Sequence, residues 1–179
     1  MSLTILFPDP RILAGGQGGH LVSFGLRLYT NLHVVESLVG IVSGFVVLFG
    51  MFAADRLDGW TAVFLATTVA TSVTGFFFPF RGFKPSYVVG ILSMIVLGAA
   101  IPARYGFDLA GAWRWIYVVG AVVALYFNVF VLIVQAFQKL PALHAVAPTQ
   151  REPPFQVAQL ATLAMFLVLG TLAVIRFHV

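Results

Sequence analysis

The chain has 179 residues, no cysteine and a formal net charge of +4, and 60% of it is hydrophobic whereas only 9% is charged. A soluble domain carries about 25% charged residues, so this chain has too few polar side chains to cover a folded surface in water. Intrinsic disorder is excluded by 18 Phe, 5 Tyr and 3 Trp, because disordered chains are poor in aromatic residues. The composition therefore predicts an all-α, polytopic integral membrane protein whose partners include membrane lipids and exclude nucleic acid.

The first 31 residues are predicted to form a non-spanning segment. Pro8, Pro10 and the glycine-rich stretch 15–19 are expected to interrupt any helix. The apolar stretch 21–29 is short and contains Arg27, which suits a segment that lies at the membrane interface or contacts a partner protein. Residues 1–31 are therefore assigned as an interfacial or partner-contacting N-terminal segment.

Five later segments are long and apolar enough to cross a bilayer, which takes about 20 residues of helix. Together they predict a five-helix transmembrane bundle over residues 32–179. The longest connection contains four prolines and is expected to run extended along the membrane surface. The predicted spans are approximately 32–54, 60–80, 86–103, 113–137 and 155–177.

Five spans place the two termini on opposite sides of the membrane. The distribution of Lys and Arg between the two sides favours a cytoplasmic N-terminus, because cytoplasmic loops carry an excess of positive charge. The N-terminal side has Arg11, Arg27, Arg81, Lys84, Lys139 and Arg151, and the other side has Arg56, Arg104, Arg114 and Arg176.

Small and polar residues recur on one face of several spans, where they allow helices to approach closely and to hydrogen-bond. These faces could serve packing within the chain, or Gly40 and Gly44 could pair with a second copy in a homo-oligomer. The predicted packing residues are Gly40, Ser43 and Gly44 in the first span, Thr71 and Gly75 in the second, Gly90 in the third and Asn128 in the fourth.

One pair of ionisable residues, His33 and Glu36, lies inside a predicted span, where a charge costs at least about 2.5–3.5 kcal/mol near the bilayer centre. The predicted topology brings further polar side chains to the same leaflet, namely Tyr87, Gln135 and Gln159. We expect a pocket for a lipid or quinone head group there. The alternative is that His33 and Glu36 lie in the hydrated headgroup zone and bond only to each other or to water.

Other cofactors find little support in the sequence. A b-type haem held by two histidines needs two imidazoles at similar depth, and only His33 lies in a span, so b-haem is not expected. His33 and Glu36 provide two ligands without a thiol, too few for a metal site. No nucleotide-binding or nucleophile motif occurs, so no catalytic residue is assigned.

Two stretches resemble known sequences. Residues 31–35 continuing into 37–44 form the first, and residues 57–62 followed by 67–80 form the second. Both are similar to stretches of small multi-pass bacterial inner-membrane proteins for which no activity is known. The resemblance covers most of the chain from Asn31 onward, and it implies a bacterial inner membrane without implying a reaction.

Three functional hypotheses follow. The first is a non-catalytic accessory or interaction subunit of a larger bacterial membrane assembly, such as an electron-transport or photosynthetic complex. The second is a small redox protein that binds quinone or b-haem beside His33 and Glu36. The third is a small transporter that works as an oligomer.

Overall fold

The computed structural model describes residues 17–78 and 85–178, and their side chains over 24–78 and 87–178. Helices account for 85% of the described residues and no strand occurs among them, so the prediction of an all-α chain is confirmed there. By its internal contacts the chain divides into two units, Met1–Val35 and Glu36–Val179. Five residues used in the sequence analysis lie outside the described ranges, namely Pro8, Pro10, Arg11, Arg81 and Lys84.

Four helices of the described ranges are long and apolar enough to cross a membrane, namely Phe24–Phe52 within α1, Tyr87–Tyr105 within α3, and the whole of α4 and α6. The predicted second span, α2, is not among them. Six of its 19 residues are Thr or Ser, and these lower the hydropathy of an otherwise apolar helix. The helices are α1 Gln17–Phe52, α2 Asp58–Phe76, α3 Pro85–Tyr105, α4 Ala112–Lys139, α5 Pro141–Val146 and α6 Pro153–Arg176.

Helix α1 begins earlier than the sequence indicates. Gly18 and Gly19 lie in its first turn, so the expectation that this glycine-rich stretch interrupts any helix is wrong for these two residues. The first backbone N–H groups of a helix have no partner within it, so flexible residues are tolerated there. The helix continues through Leu32, where the first span was predicted to begin. The assignment of residues 1–31 as a separate non-spanning segment stays a prediction.

Two proline-containing regions also differ from expectation. Helix α3 continues past Pro102 to Tyr105, beyond the predicted end at residue 103. The connection between α4 and α6 is not wholly extended, because it contains the short helix α5. Pro141 occupies the first turn of α5, a position that proline favours because its missing N–H would have no partner there.

The core of the second unit is built around α4, which contacts α2, α3, α5 and α6. One side of α4 is almost fully buried, and Tyr117, Val118 and Leu125 are each 1% exposed. Phe166 of α6 packs its ring against Tyr126 of α4, with 5.6 Å between the ring centroids. Helix α4 is thus the element against which the other helices of this unit are placed.

Glycines mark the closest approaches to α4. A Cβ atom at Gly44 of α1 would lie 2.6 Å from Leu125 Cδ1 and 2.8 Å from Phe64 Cε2. At Gly120 of α4 the same atom would lie 2.9 Å from the Cβ of Ala100 in α3. These distances are shorter than ordinary van der Waals contacts, so a larger residue would force the helices apart.

We predict that Gly44→Ala destabilises the protein whereas Gly98→Ala does not. Gly98 lies in α3 with no heavy atom within 4 Å of its added Cβ. Both changes raise helix propensity equally, so their difference isolates the clash, for which we expect about 1–3 kcal/mol. Denaturation of the detergent-solubilised protein with SDS measures it, and equal midpoints for the two variants would contradict the close packing at Gly44.

Candidate functional site

Glu36 lies beside α2 near the end of that helix. Its Oε2 is 3.4 Å from the hydroxyl Oγ1 of Thr74, and the side chain is half-buried. The Thr74 hydroxyl also reaches the carbonyl oxygen of Ala70, at 2.8 Å, which is the shorter contact for its single proton. An ionised Glu36 can accept a hydrogen bond here, and a protonated Glu36 can donate one to the Thr74 oxygen.

Tyr87 lies at the same end of α2, at the beginning of α3. Its ring stacks on that of Phe76, with centroids 6.2 Å apart and an angle of 17° between the planes. A Cβ added to Gly90 would lie 3.0 Å from the Phe76 ring, so Gly90 makes room for this aromatic contact. Glu36, Thr74, Phe76 and Tyr87, here called the Glu36 cluster, therefore gather three helices at one end of α2.

The two predicted glutamines belong to α4 and α6. Gln159 of α6 donates from Nε2 to the carbonyl oxygen of Phe130 at 3.3 Å, and its Oε1 is buried without a hydrogen-bond partner. Gln135 is half-buried on α4. The contact with the Phe130 carbonyl ties Gln159 to α4. His33 belongs to the first unit, where it is half-buried.

The predicted packing residues take part in contacts between helices of the second unit. Asn128 of α4 donates from Nδ2 to the Thr68 hydroxyl at 3.1 Å. A Cβ at Gly40 would lie 3.2 Å from Thr67 Oγ1 and 3.6 Å from Asn128 Nδ2, which places α1 beside the same contact. Ser43 is buried, and its hydroxyl donates to the Val39 carbonyl. Thr71 has a buried hydroxyl without a partner, and Gly75 is half-buried.

A second polar group lies at the opposite end of α2, where the sequence analysis assigns only turn residues. Arg104 is in the last turn of α3, and its side chain is only 2% exposed. Its Nη2 donates to Oδ1 of Asp58, the first residue of α2, whose side chain is 78% exposed. The guanidinium also lies 5.7 Å from the ring centroid of Tyr117.

Arg56 and Asp108 form the outer part of this group and lie outside the spans. Nη2 of Arg56 donates to Oδ1 of Asp108, which links the α1–α2 turn to the α3–α4 turn. This hydrogen bond lowers the pKa of the exposed Asp108 carboxyl, and the same bond raises the pKa of Arg56. Arg56, Asp58, Arg104 and Asp108 are called the Arg104 cluster below. The Nε atoms of both arginines are buried without a hydrogen-bond partner.

Two further contacts extend the polar region toward α4 and the C-terminal residues. The Thr61 hydroxyl donates to the Arg56 carbonyl at 3.1 Å and lies 3.4 Å from the hydroxyl of Tyr117. Arg114 donates to the Phe177 carbonyl at 2.8 Å and contacts Nδ1 of His178. The sequence contained a signal for this cluster. An acidic residue at the start of one helix and a basic residue at the end of its antiparallel neighbour suit the two helix dipoles.

The arrangement offers hydrogen-bonding and charge-pairing groups rather than a set of metal ligands. No group of three or more His, Asp or Glu that could hold a metal occurs among residues 17–78 and 85–178. A narrow gap between α1, α2 and α4 is too small to hold a water molecule, and its lining is apolar, including Gly44, Phe64 and Leu125. It contains none of the predicted ligand-binding residues. Comparison with models of protein families, with curated proteins and with solved structures finds no match.

Proposed function

We propose that the chain is a five-span protein of a bacterial inner membrane and serves as a non-catalytic accessory subunit of a larger membrane assembly. The proposal has two parts, the number of spans and the role of the outward surface. The observation that carries it is the distribution of polarity in the second unit. Polar side chains of the helices bond within the chain, either to a carbonyl of their own helix or to a neighbouring helix, and large apolar side chains face outward.

The first part concerns α2, whose exposed side is apolar and whose buried side carries hydroxyls. Its buried residues are Phe64 and Leu65 together with Thr61 and Thr68, both 0% exposed, and Ser72, which is 9% exposed. Its exposed large residues are apolar, namely Trp60, Val63, Val73 and Phe76. A helix that borders water buries its apolar stripe. A helix with apolar residues outside and hydroxyls inside fits a lipid environment.

The contacts of α2 with α3 support the same conclusion. Asp58 at the start of α2 pairs with Arg104 near the end of α3, and Phe76 at the end of α2 stacks on Tyr87 near the start of α3. The two helices are therefore antiparallel neighbours along their whole length. Their 19 and 21 residues correspond to about 28 and 32 Å, close to the hydrocarbon thickness of about 30 Å. A bilayer that α3 crosses is therefore crossed by α2 as well.

We predict that the two ends of α2 lie on opposite sides of the membrane. The chain has no cysteine, so Ala53→Cys and Phe77→Cys each introduce a single thiol, and both positions are exposed. A membrane-impermeant maleimide should label one variant in intact cells and the other only after permeabilisation. Labelling of both from the same side would contradict a spanning α2.

The second part concerns α6, which is the least covered of the apolar helices of the second unit. Only 11% of its most apolar stretch is buried inside the protein, against 28% in α3 and 39% in α4. Thr162, Phe166 and Ala173 are its buried residues, and they face α4. A shallow surface groove is formed by Leu167, Val168, Thr171 and Leu172. We assign this side of α6 as the contact surface for another membrane subunit.

We predict that a photo-crosslinking residue at Val168 forms a protein adduct in native membranes, whereas the same residue at Ile95 of α3 forms adducts with lipid. The two positions are matched, since Val168 is 61% and Ile95 is 65% exposed. Mass spectrometry of the products identifies the captured partner. An adduct of two copies of this chain would indicate a homo-oligomer instead, and lipid adducts alone at Val168 would contradict the subunit proposal.

A second candidate function, binding of a lipid or quinone head group, is favoured by the Glu36 cluster. Glu36 provides a carboxyl that can exchange hydrogen bonds with Thr74, and the stacked rings of Phe76 and Tyr87 lie at the same end of α2. A head group with carbonyl or hydroxyl oxygens and a flat ring would match both features. This function would make the Glu36 cluster a binding site rather than a helix contact.

We expect Glu36→Gln to lower the quinone or lipid content of the purified protein several-fold if this second function holds. Asp55→Asn is the matched control, because Asp55 is an exposed carboxylate in the α1–α2 turn. The side-chain oxygen of the new asparagine can still accept the hydrogen bond from the Leu57 N–H. Extraction and chromatography of the bound molecules measure the content. An unchanged content in Glu36→Gln would exclude the Glu36 carboxyl from such a site.

A further inference from the structure

The low hydropathy of α2 raises the question of what keeps this helix in the bilayer. Its inward hydroxyls and its first residue, Asp58, are polar groups that lipid does not satisfy. We infer that α2 is a dependent span, held across the membrane by polar contacts with its neighbours rather than by its own hydropathy. This inference rests on the proposed five-span arrangement.

Four contacts from α2 to three other helices support the inference, and they are distributed along its whole length. At its start Asp58 pairs with Arg104 of α3, and one turn later the Thr61 hydroxyl meets that of Tyr117 in α4. Near its middle Thr68 accepts the hydrogen bond from Asn128 of α4. Near its end Thr74 lies beside Glu36 of α1.

Of the four contacts, the one between Asp58 and Arg104 joins two oppositely charged side chains. Among residues 24–78 and 87–178, Asp58 is the carboxylate paired with this guanidinium, whose side chain is 2% exposed. Removing one partner of such a pair leaves the other charge buried and uncompensated, which costs far more than losing an exposed pair. The buried cation thus favours the arrangement in which the start of α2 lies beside the end of α3.

Helix orientation adds to this preference. Asp58 is in the first turn of α2, where the helix dipole favours a negative charge, and Arg104 is in the last turn of α3, where it favours a positive one. The pair therefore matches the ends of two antiparallel helices. A membrane-surface position of α2 would separate Thr68 from Asn128 and leave the amide of Asn128 without this partner in the core.

The test uses the two cysteine positions of the topology experiment in three further backgrounds. Asp58→Asn, Arg104→Met and Asn128→Leu should each produce molecules in which Phe77→Cys is labelled from the same side as Ala53→Cys. For Asp58→Asn we expect this wrong-side fraction to rise about tenfold over that of the parent protein. Because Asp58→Asn removes no positive charge, the positive-inside rule cannot account for such a change.

Two controls match these variants. Asp108→Asn also removes an arginine-paired carboxylate, and the exposed fractions of the two side chains are 80% for Asp108 and 78% for Asp58. Arg56→Met also removes one positive charge from the same end as Arg104→Met. Both controls should keep the parental labelling, because neither breaks the four contacts of α2. If Arg104→Met does not accumulate, Asp58→Asn, which changes an exposed side chain, still tests the inference.

The outcomes separate the inference from the arrangement on which it rests. Same-side labelling in the parent protein would contradict the five-span proposal itself. Opposite-side labelling in the parent and in all three variants would overturn the dependence of α2 on its neighbours while leaving five spans intact. Equal wrong-side labelling in Asp58→Asn and Asp108→Asn would overturn it too, since charge at that end of the helices would then be the cause.

Discussion

A polar group inside hydrocarbon has no water to bond to. In the proposed five-span arrangement, the rest of the structure depends on how that constraint is met in α2. Most of its hydroxyls bond either to a carbonyl one turn earlier, as Ser72 does to Thr68, or to a neighbouring helix, whereas the Thr71 hydroxyl is buried without a partner. Asn128 of α4 supplies the second kind of partner in the middle of the helix. Because these partners come from α3, α4 and α1, pairing the polar groups of α2 brings the helices of the second unit together. Lipid tails offer no hydrophobic reason for helices to associate, so such contacts and close packing must provide it.

The two polar clusters meet this constraint in different ways. In the Arg104 cluster the buried guanidinium of Arg104 pairs with the exposed carboxylate of Asp58. The positive charge is thus paired at the end of the two helices. The Glu36 cluster pairs a carboxyl with a hydroxyl and places two stacked aromatic rings beside it. In the first, both arginines are paired with carboxylates, although their Nε atoms are buried without a hydrogen-bond partner. The second retains a carboxyl whose hydrogen bonding can change, which is why the candidate binding function lies there and the structural role lies at the other end.

The sequence analysis failed at specific residues for identifiable reasons. Arg104 directly follows the predicted third span, and nothing in the local sequence shows that its side chain would be buried beside Tyr117 and Asp58. Gly18 and Gly19 were expected to interrupt a helix. They lie in the first turn of α1, where glycine destabilises a helix less than in its interior. Gln135 and Gln159 were grouped with Glu36 by depth alone, and that grouping stays a prediction. Depth follows from topology, but the face on which a side chain lies depends on how each helix is rotated against its neighbours.

By itself the sequence determined the class of the protein, its helical content and the approximate position of each apolar helix, because these follow from composition and from runs of apolar residues about as long as a bilayer is thick. It also identified Gly40, Gly44 and Asn128 as contact residues from their size and polarity. Only the tertiary structure decided which helix each of them meets and that the hydroxyls of α2 point inward. It alone showed that Arg104 is buried. These features depend on pairwise contacts between residues far apart in the chain, such as Asp58 and Arg104, and no local pattern encodes such a contact.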